Sequence, residues 1–204
     1  MGGTKSMLKH LDAQLDALEK IVNSVDREAL EELIQEMIET VKNGGKIIAT
    51  ALGKNVPICE KFIGTLISLG IPSYFLHTNS AVHGDLGAVS SKDLVLLLSK
   101  SGETEESVYL YEHLKNKKAK VYVLTYNAES TLARISDKKI CLYLETEGDP
   151  WNLVPNNSTI GYLFILQAIA MELIDRLQVP LEVFKENHPG GAIGKKLKEI
   201  GDKK

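Results

Sequence analysis

Residues 94–107 read LVLLLSKSGETEES, and the fold is decided by this stretch. Leu94, Val95, Leu96, Leu97 and Leu98 form an apolar run without polar interruption. Such a run is a strand covered on both faces, as in the middle of a parallel sheet. Ser99, Ser101, Gly102 and Thr104 then place short hydroxyls and one permissive backbone position where the strand's carboxyl end meets a helix opened by Glu105 and Glu106. A helix N-terminus has unpaired N–H groups and a partial positive charge, so it binds anions such as phosphate. No Gly-Lys-Ser/Thr follows a glycine at the P-loop interval, which points to a phosphorylated small molecule rather than ATP. The competing reading is an ordinary cap, with Ser101 or Thr104 at the N-cap and the two glutamates favoured in the first turn.

Outward from this stretch, strands and helices alternate. Strands are predicted at 46–50, 73–76, 94–99, 120–125 and 140–144, and helices after the turn at 51–55 and at 105–116 and 131–135. Alternation of this kind implies right-handed crossovers and a parallel sheet with helices on both faces. Ligands in such sheets bind outside the carboxyl ends of the strands. The polar turns at 51–55, 77–87, 99–104 and 145–157 all follow strands, so they are expected to converge on one rim. The segment 77–87 is read as irregular. Residues 158–177 form a strongly apolar helix, expected to be buried in the sheet packing or against a partner subunit. A short helix beginning at Pro180 and a turn at 187–191 precede a basic tail.

Ahead of the first strand, Leu8, Leu11, Leu15, Leu18, Ile21 and Val22 recur at helical spacing over 7–22. A second helix carries Leu30, Leu33, Ile34, Met37, Ile38 and Val41 and stops at Asn43-Gly44-Gly45. These two helices have no sheet of their own and are expected to pack on a neighbouring core or a second copy. A helix-turn-helix DNA reader is disfavoured because Glu28, Glu31, Glu32, Glu36 and Glu39 make the second helix acidic and phosphates would repel it.

Composition narrows the class. The chain has 204 residues, 44% apolar and 25% charged, with a net charge of −3 and no long basic run. This suits a globular protein with one core and argues against a nucleic-acid partner. Cys59 and Cys141 sit in apolar surroundings at no metal-ligand spacing and read as core hydrophobes in a reducing compartment. No stretch has the length of a membrane span and no signal-peptide core stands at the N-terminus, so a cytoplasmic setting without membrane contact is expected. No internal repeat or low-complexity linker is found. A single domain over 1–204 is therefore expected, with an N-terminal helical extension at 7–43, an αβα core at 46–177 and a helical tail at 178–204; residues 2–6 are left out of the fold reading.

Taken together, several blocks resemble the SIS (sugar isomerase) phosphosugar-binding family, and within it the arabinose-5-phosphate isomerase branch. They are Ala51-Leu52-Gly53-Lys54-Asn55, His83-Gly84-Asp85-Leu86-Gly87, Ser99-Lys100-Ser101-Gly102-Glu103-Thr104-Glu105-Glu106 and His188-Pro189-Gly190-Gly191-Ala192-Ile193-Gly194-Lys195, with Pro155-Asn156-Asn157-Ser158-Thr159 as a weaker fifth. The resemblance implies an α/β fold, a three-layer αβα sandwich on a five-stranded parallel sheet (flavodoxin-like) with N-terminal helices. It implies phosphate binding by Ser99, Ser101 and Thr104 with Gly102, Asn55 and Ser158, and catalysis by Lys54, His83, Glu106, Glu147 and His188. It also implies a homodimer or homotetramer. The chain departs from the branch at Asn55, where a serine is expected, and at Asn156 and Asn157, which replace small hydroxyl residues; a domain without the paired CBS domains of the branch is expected.

Aldose–ketose isomerisation through an enediol needs one base near the substrate carbons, groups to open the ring and a partner for the developing oxyanion. No metal or cofactor is called for by this route. Glu106 or Glu147 can shuttle the proton. His83 and His188 suit ring opening and proton transfer between oxygens, and Lys54 suits the enediolate. Taken singly, each has a plainer role: Glu106 opposing a helix dipole, Lys54 and Glu147 solvated in loops, His83 capping a turn, His188 satisfying a carbonyl. Trp151 either walls or covers the pocket. The alternatives in function are an isomerase for another sugar phosphate, such as a hexulose 6-phosphate, and a non-catalytic phosphosugar sensor.

Overall fold

The computed structural model describes residues 9–201. The first turn expected from residue 7, with Leu8, and the end of the tail at 202–204 lie outside the described residues. Five parallel strands form one sheet: β1 (Ile47–Ala51), β2 (Ser73–Phe75), β3 (Leu94–Leu98), β4 (Lys120–Thr125) and β5 (Lys138–Cys141). Their order is β2-β1-β3-β4-β5. This is the expected αβα sandwich, with β3 at its centre and every residue of β3 buried. Leu94, Leu96 and Leu98 turn to one core cluster and Val95 and Leu97 to the other, which is why the strand reads as unbroken apolar sequence.

The helices are α1 (Lys9–Asn23), α2 (Arg27–Lys42), α3 (Val56–Ser68), α4 (Thr78–Ala81), α5 (Glu105–Asn116), α6 (Thr131–Ile135), α7 (Asn157–Leu177), α8 (Leu181–Glu186) and α9 (Gly191–Gly201). From β1 the chain steps outward to β2, then returns past β1 to β3, β4 and β5. Right-handed crossovers made in opposite directions place their helices on opposite faces. Hence Phe62 and Leu66 of α3 lie in one cluster, and Ala81 of α4, Leu110 and Leu114 of α5 and Leu132 of α6 in the other. One crossover helix cannot cover five strands. Leu33 and Met37 of α2 and Tyr162, Leu166 and Leu173 of α7 close the remainder of the α3 face, all of them fully buried.

This corrects the expectation for the N-terminal helices. Rather than seeking a neighbouring core, α2 packs on β1, β3 and β5 of its own sheet, and α1 packs on α7. Two smaller differences have local causes. β5 begins at Lys138, before the apolar run, because at this sheet edge the Lys138 ammonium pairs with Glu32 and Glu36 of α2. Within 77–87 the chain forms α4 and enters a 3-10 turn, Asp85–Ala88, with the His77 ring Nδ1 accepting from Asn79 N–H at 3.3 Å to cap α4.

At the opposite edge of β3 from its polar turn, Asp93 locks the first and third strands together. Its nearly buried carboxylate accepts from Lys46 N–H (2.9 Å), Lys46 Nζ (2.8 Å), Ser90 N–H (2.7 Å) and Ser90 Oγ (2.9 Å). Burial alone would push this carboxyl up, but the Lys46 and Ser90 donors outweigh it and hold it below its ordinary value. A group lowered in the folded state stabilises fully above its unfolded pKa of about 4 and loses that contribution as pH falls through the folded value. Asp93→Ala is expected to destabilise by about 2–4 kcal/mol in urea denaturation at pH 7. The difference from the parent protein should shrink on acidification below about pH 4.

Candidate active site

The turns leaving β1 and β3 part from one another, because the crossover direction reverses between these neighbours. A cavity of ≈160 Å³ opens there, lined by Leu52 and Asn55 from the first turn and Ser99, Lys100, Ser101 and Thr104 from the second. The hydroxyls shape the second turn: Ser99 Oγ accepts from Gly102 N–H at 3.1 Å and Ser101 Oγ from Glu103 N–H at 3.2 Å. Thr104 occupies the N-cap position of α5 with extended backbone and no side-chain capping bond. The plain cap reading is therefore not what this turn builds. The start of α5 keeps the positive end that an anion complements.

Gly102 closes the turn at φ +65°, and a Cβ there would lie 2.1 Å from Ser130 Oγ. Its carbonyl accepts from Leu132 N–H at 3.1 Å, and the preceding Lys100 carbonyl accepts from Tyr126 N–H at 3.1 Å. This turn is thus pinned to the end of β4 and the start of α6.

On the other side of the first turn of α5, a second cavity of ≈310 Å³ is lined by Thr78, Asn79, Val82, His83, Glu106 and Tyr109. His83 and Glu106, both exposed, come from segments separated in sequence and meet on this wall. Lys54 is exposed on the 3-10 turn Gly53–Asn55, which leaves β1 on the same rim.

Glu147 is fully buried. Its Oε2 accepts from Asn156 N–H and Ser158 N–H, each at 3.0 Å, and its Oε1 from Ser158 Oγ at 2.7 Å. Lys100 Nζ lies 2.8 Å from Oε1. This carboxylate caps α7 from the preceding loop, where Asn156 itself makes no side-chain cap. Burial pushes the Glu147 carboxyl up, but the Lys100 ammonium and the Ser158 and Asn156 donors prevail and keep it below the usual carboxylate range. Ser158 accordingly donates its hydroxyl to Glu147. Lys100, read in the sequence only as the residue between two serines, is the side chain that links the turn after β3 to this carboxylate, and its partner stands too far along the chain for any local pattern to disclose it.

His188 stands apart from these groups within the protomer. It follows α8, which seats against the far end of α3: Asn187 Nδ2 donates to Ser68 O at 3.3 Å, and a Cβ at Gly70 would meet Val183 at 2.5 Å. The 13-residue α3 follows Asn55, which lines the same cavity as Ser99 and Thr104, and this puts its far end about 20 Å away. The imidazole stacks on Phe184, with ring centroids 4.0 Å apart, and its Nδ1 is 2.8 Å from Phe184 O. A carbonyl oxygen only accepts, so Nδ1 carries the proton and Nε2 of the neutral ring carries the lone pair.

A hydroxyl-lined cavity at the crossover reversal of a parallel sheet defines an α/β ligand-binding domain of the doubly wound class. The chain belongs to the SIS domain family, whose model matches residues 41–171. It is 33% identical over 184 residues to an arabinose 5-phosphate isomerase KdsD of Francisella tularensis, covering 90% of this chain and 56% of the relative. It is 35% identical over 186 residues to KdsD of Escherichia coli K12, covering 87% of this chain and 57% of that protein. The chain thus spans a little over half the length of these curated relatives. Among solved structures, an Escherichia coli CFT073 protein in complex with a sugar phosphate superposes with a TM-score of 0.84 at 31% identity, covering 93% of this chain and 100% of that one.

Gly102→Ala is expected to cost about 2 kcal/mol or more, since the side chain meets both an unfavourable φ and the Ser130 side chain. Thermal melting measures the cost.

Proposed function

We propose that this domain is a sugar-phosphate aldose–ketose isomerase that interconverts arabinose 5-phosphate and ribulose 5-phosphate. The observation that carries the reading is the pair of cavities flanking the first turn of α5, one hydroxyl-lined for the phosphate and one bearing His83 and Glu106 for the sugar. The relatives of this name and the sugar-phosphate complex of the similar structure support the choice of substrate.

In this reading Ser99, Ser101, Thr104 and Asn55 hold the phosphate at the start of α5, with Gly102 shaping the turn and Ser158 acting through Glu147. The open-chain sugar then crosses α5 toward Glu106. Glu106 removes the proton from C2 of the aldose and returns it to C1 through an enediol, while a proton moves between the two oxygens with the help of His83. Lys54 stabilises the enediolate. Glu106, exposed to the cavity, suits proton transfer better than Glu147, whose two oxygens already accept from Lys100, Ser158 and Asn156. Glu147 serves the site by holding Lys100 and the start of α7.

His188 enters from a second copy in a homodimer or homotetramer, with Nε2 as the reactive nitrogen. The half-exposed Leu11 and Leu15 of α1 and Phe164 and Met171 of α7 support assembly of copies. The free thiols Cys59 and Cys141 support a reducing, cytoplasmic setting.

Incubating the purified protein with arabinose 5-phosphate should yield ribulose 5-phosphate, and the reverse; phosphosugar binding without turnover would make it a sensor instead. Glu106→Gln is expected to lower kcat roughly 10²- to 10⁴-fold with KM little changed, and Ser101→Ala to raise KM with a smaller effect on kcat. Mixing Glu106→Gln and His188→Ala subunits should restore part of the activity lost in each. Mixtures as inactive as their parents would remove His188 from the shared site.

A further inference from the structure

Lys100 poses a problem of charge. It lines the cavity assigned to the phosphate, yet its ammonium lies on the buried Glu147 carboxylate. That carboxylate is fully buried, whereas the Lys100 side chain is 37% exposed. A phosphate placed in the cavity would therefore stand next to a buried anion, with no side-chain cation other than Lys100 in the cavity lining among the described residues. Two anions a few ångströms apart in a partly desolvated site repel strongly. An ammonium has three donors and can serve two acceptors at once.

We propose that Lys100 is the charge-compensating residue of the anion turn: it neutralises Glu147 and offers a second donor to the phosphate, so that one lysine joins the phosphate cradle to the start of α7. This rests on the phosphosugar reading of the same cavity and adds to it the residue that makes the cavity tolerant of a dianion. Lys100 is held for this task by its backbone, whose carbonyl accepts from Tyr126 N–H at 3.1 Å and Thr125 Oγ1 at 3.2 Å. Glu147 is held by Asn152, whose Oδ1 accepts from Glu147 N–H at 2.7 Å. Neither partner depends on the ion pair alone for its place, so removing the ammonium leaves the carboxylate buried beside the cavity.

The test measures dissociation constants for inorganic phosphate by calorimetry, and KM and kcat with arabinose 5-phosphate, after circular dichroism has shown each variant to be folded. Lys100→Met should weaken phosphate binding and raise KM by roughly tenfold or more, and Lys100→Arg should stay near the parent value. Adding Glu147→Gln to Lys100→Met should recover much of the lost affinity, because it removes the uncompensated anion; a merely structural lysine gives no such recovery. Unchanged phosphate affinity in folded Lys100→Met would overturn the proposal. So would a double variant that binds no better than Lys100→Met. Failure of the unaltered protein to bind phosphate at all would instead overturn the phosphosugar reading on which it rests.

Discussion

A right-handed crossover leaves its helix on one face of a parallel sheet or the other according to the direction in which the chain steps. In this chain the direction reverses once, between β1 and β3. The reversal spreads the turns after these strands and opens the cavity lined by Asn55, Ser99 and Thr104. It also leaves most of the α3 face without crossover helices, so that α2 and α7 must cover it. Site and layering thus have one cause, and the N-terminal helices belong to the core because of it.

On the rim so formed, the carboxylates of Glu106 and Glu147 stand in contrasting surroundings. Glu106 stands exposed at the start of α5, beside His83 on a cavity wall. Glu147 is buried, and its oxygens are occupied by the start of α7 and by Lys100. Environment separates what composition treats alike: one group stands open to a cavity, and the other is kept ionised to hold a cation and a helix end. Lys100 ties this buried group to the turn after β3, since its backbone belongs to that turn and its ammonium lies on Glu147.

Local signals were strong where one element is organised by its own residues. The unbroken run at Leu94–Leu98 reads as a strand covered on both faces because alternate leucines enter different clusters. Ser99, Ser101, Gly102 and Thr104 read as a strand-to-helix turn because hydroxyl, glycine and helix start fall within a few residues. The signal failed where a partner came from elsewhere. The start of β5 was obscured because the lysines at its head answer to glutamates on α2. Ser158, legible as a polar helix start, directs its hydroxyl to Glu147. The motif that contains His188 is conspicuous in the sequence, yet α8 carries it to the far end of α3.

By itself, then, the amino-acid sequence determined the alternation of strands and helices, the buried parallel sheet and the polar strand-to-helix turn at 99–104, since each rests on periodicity or spacing within a few residues. Only the tertiary structure decided the order of the strands, the faces assigned to α2 and α7, the pairing of Lys100 with Glu147 and the separation of His188 from Glu106. Those depend on crossover direction and on contacts between distant residues, which no local pattern encodes.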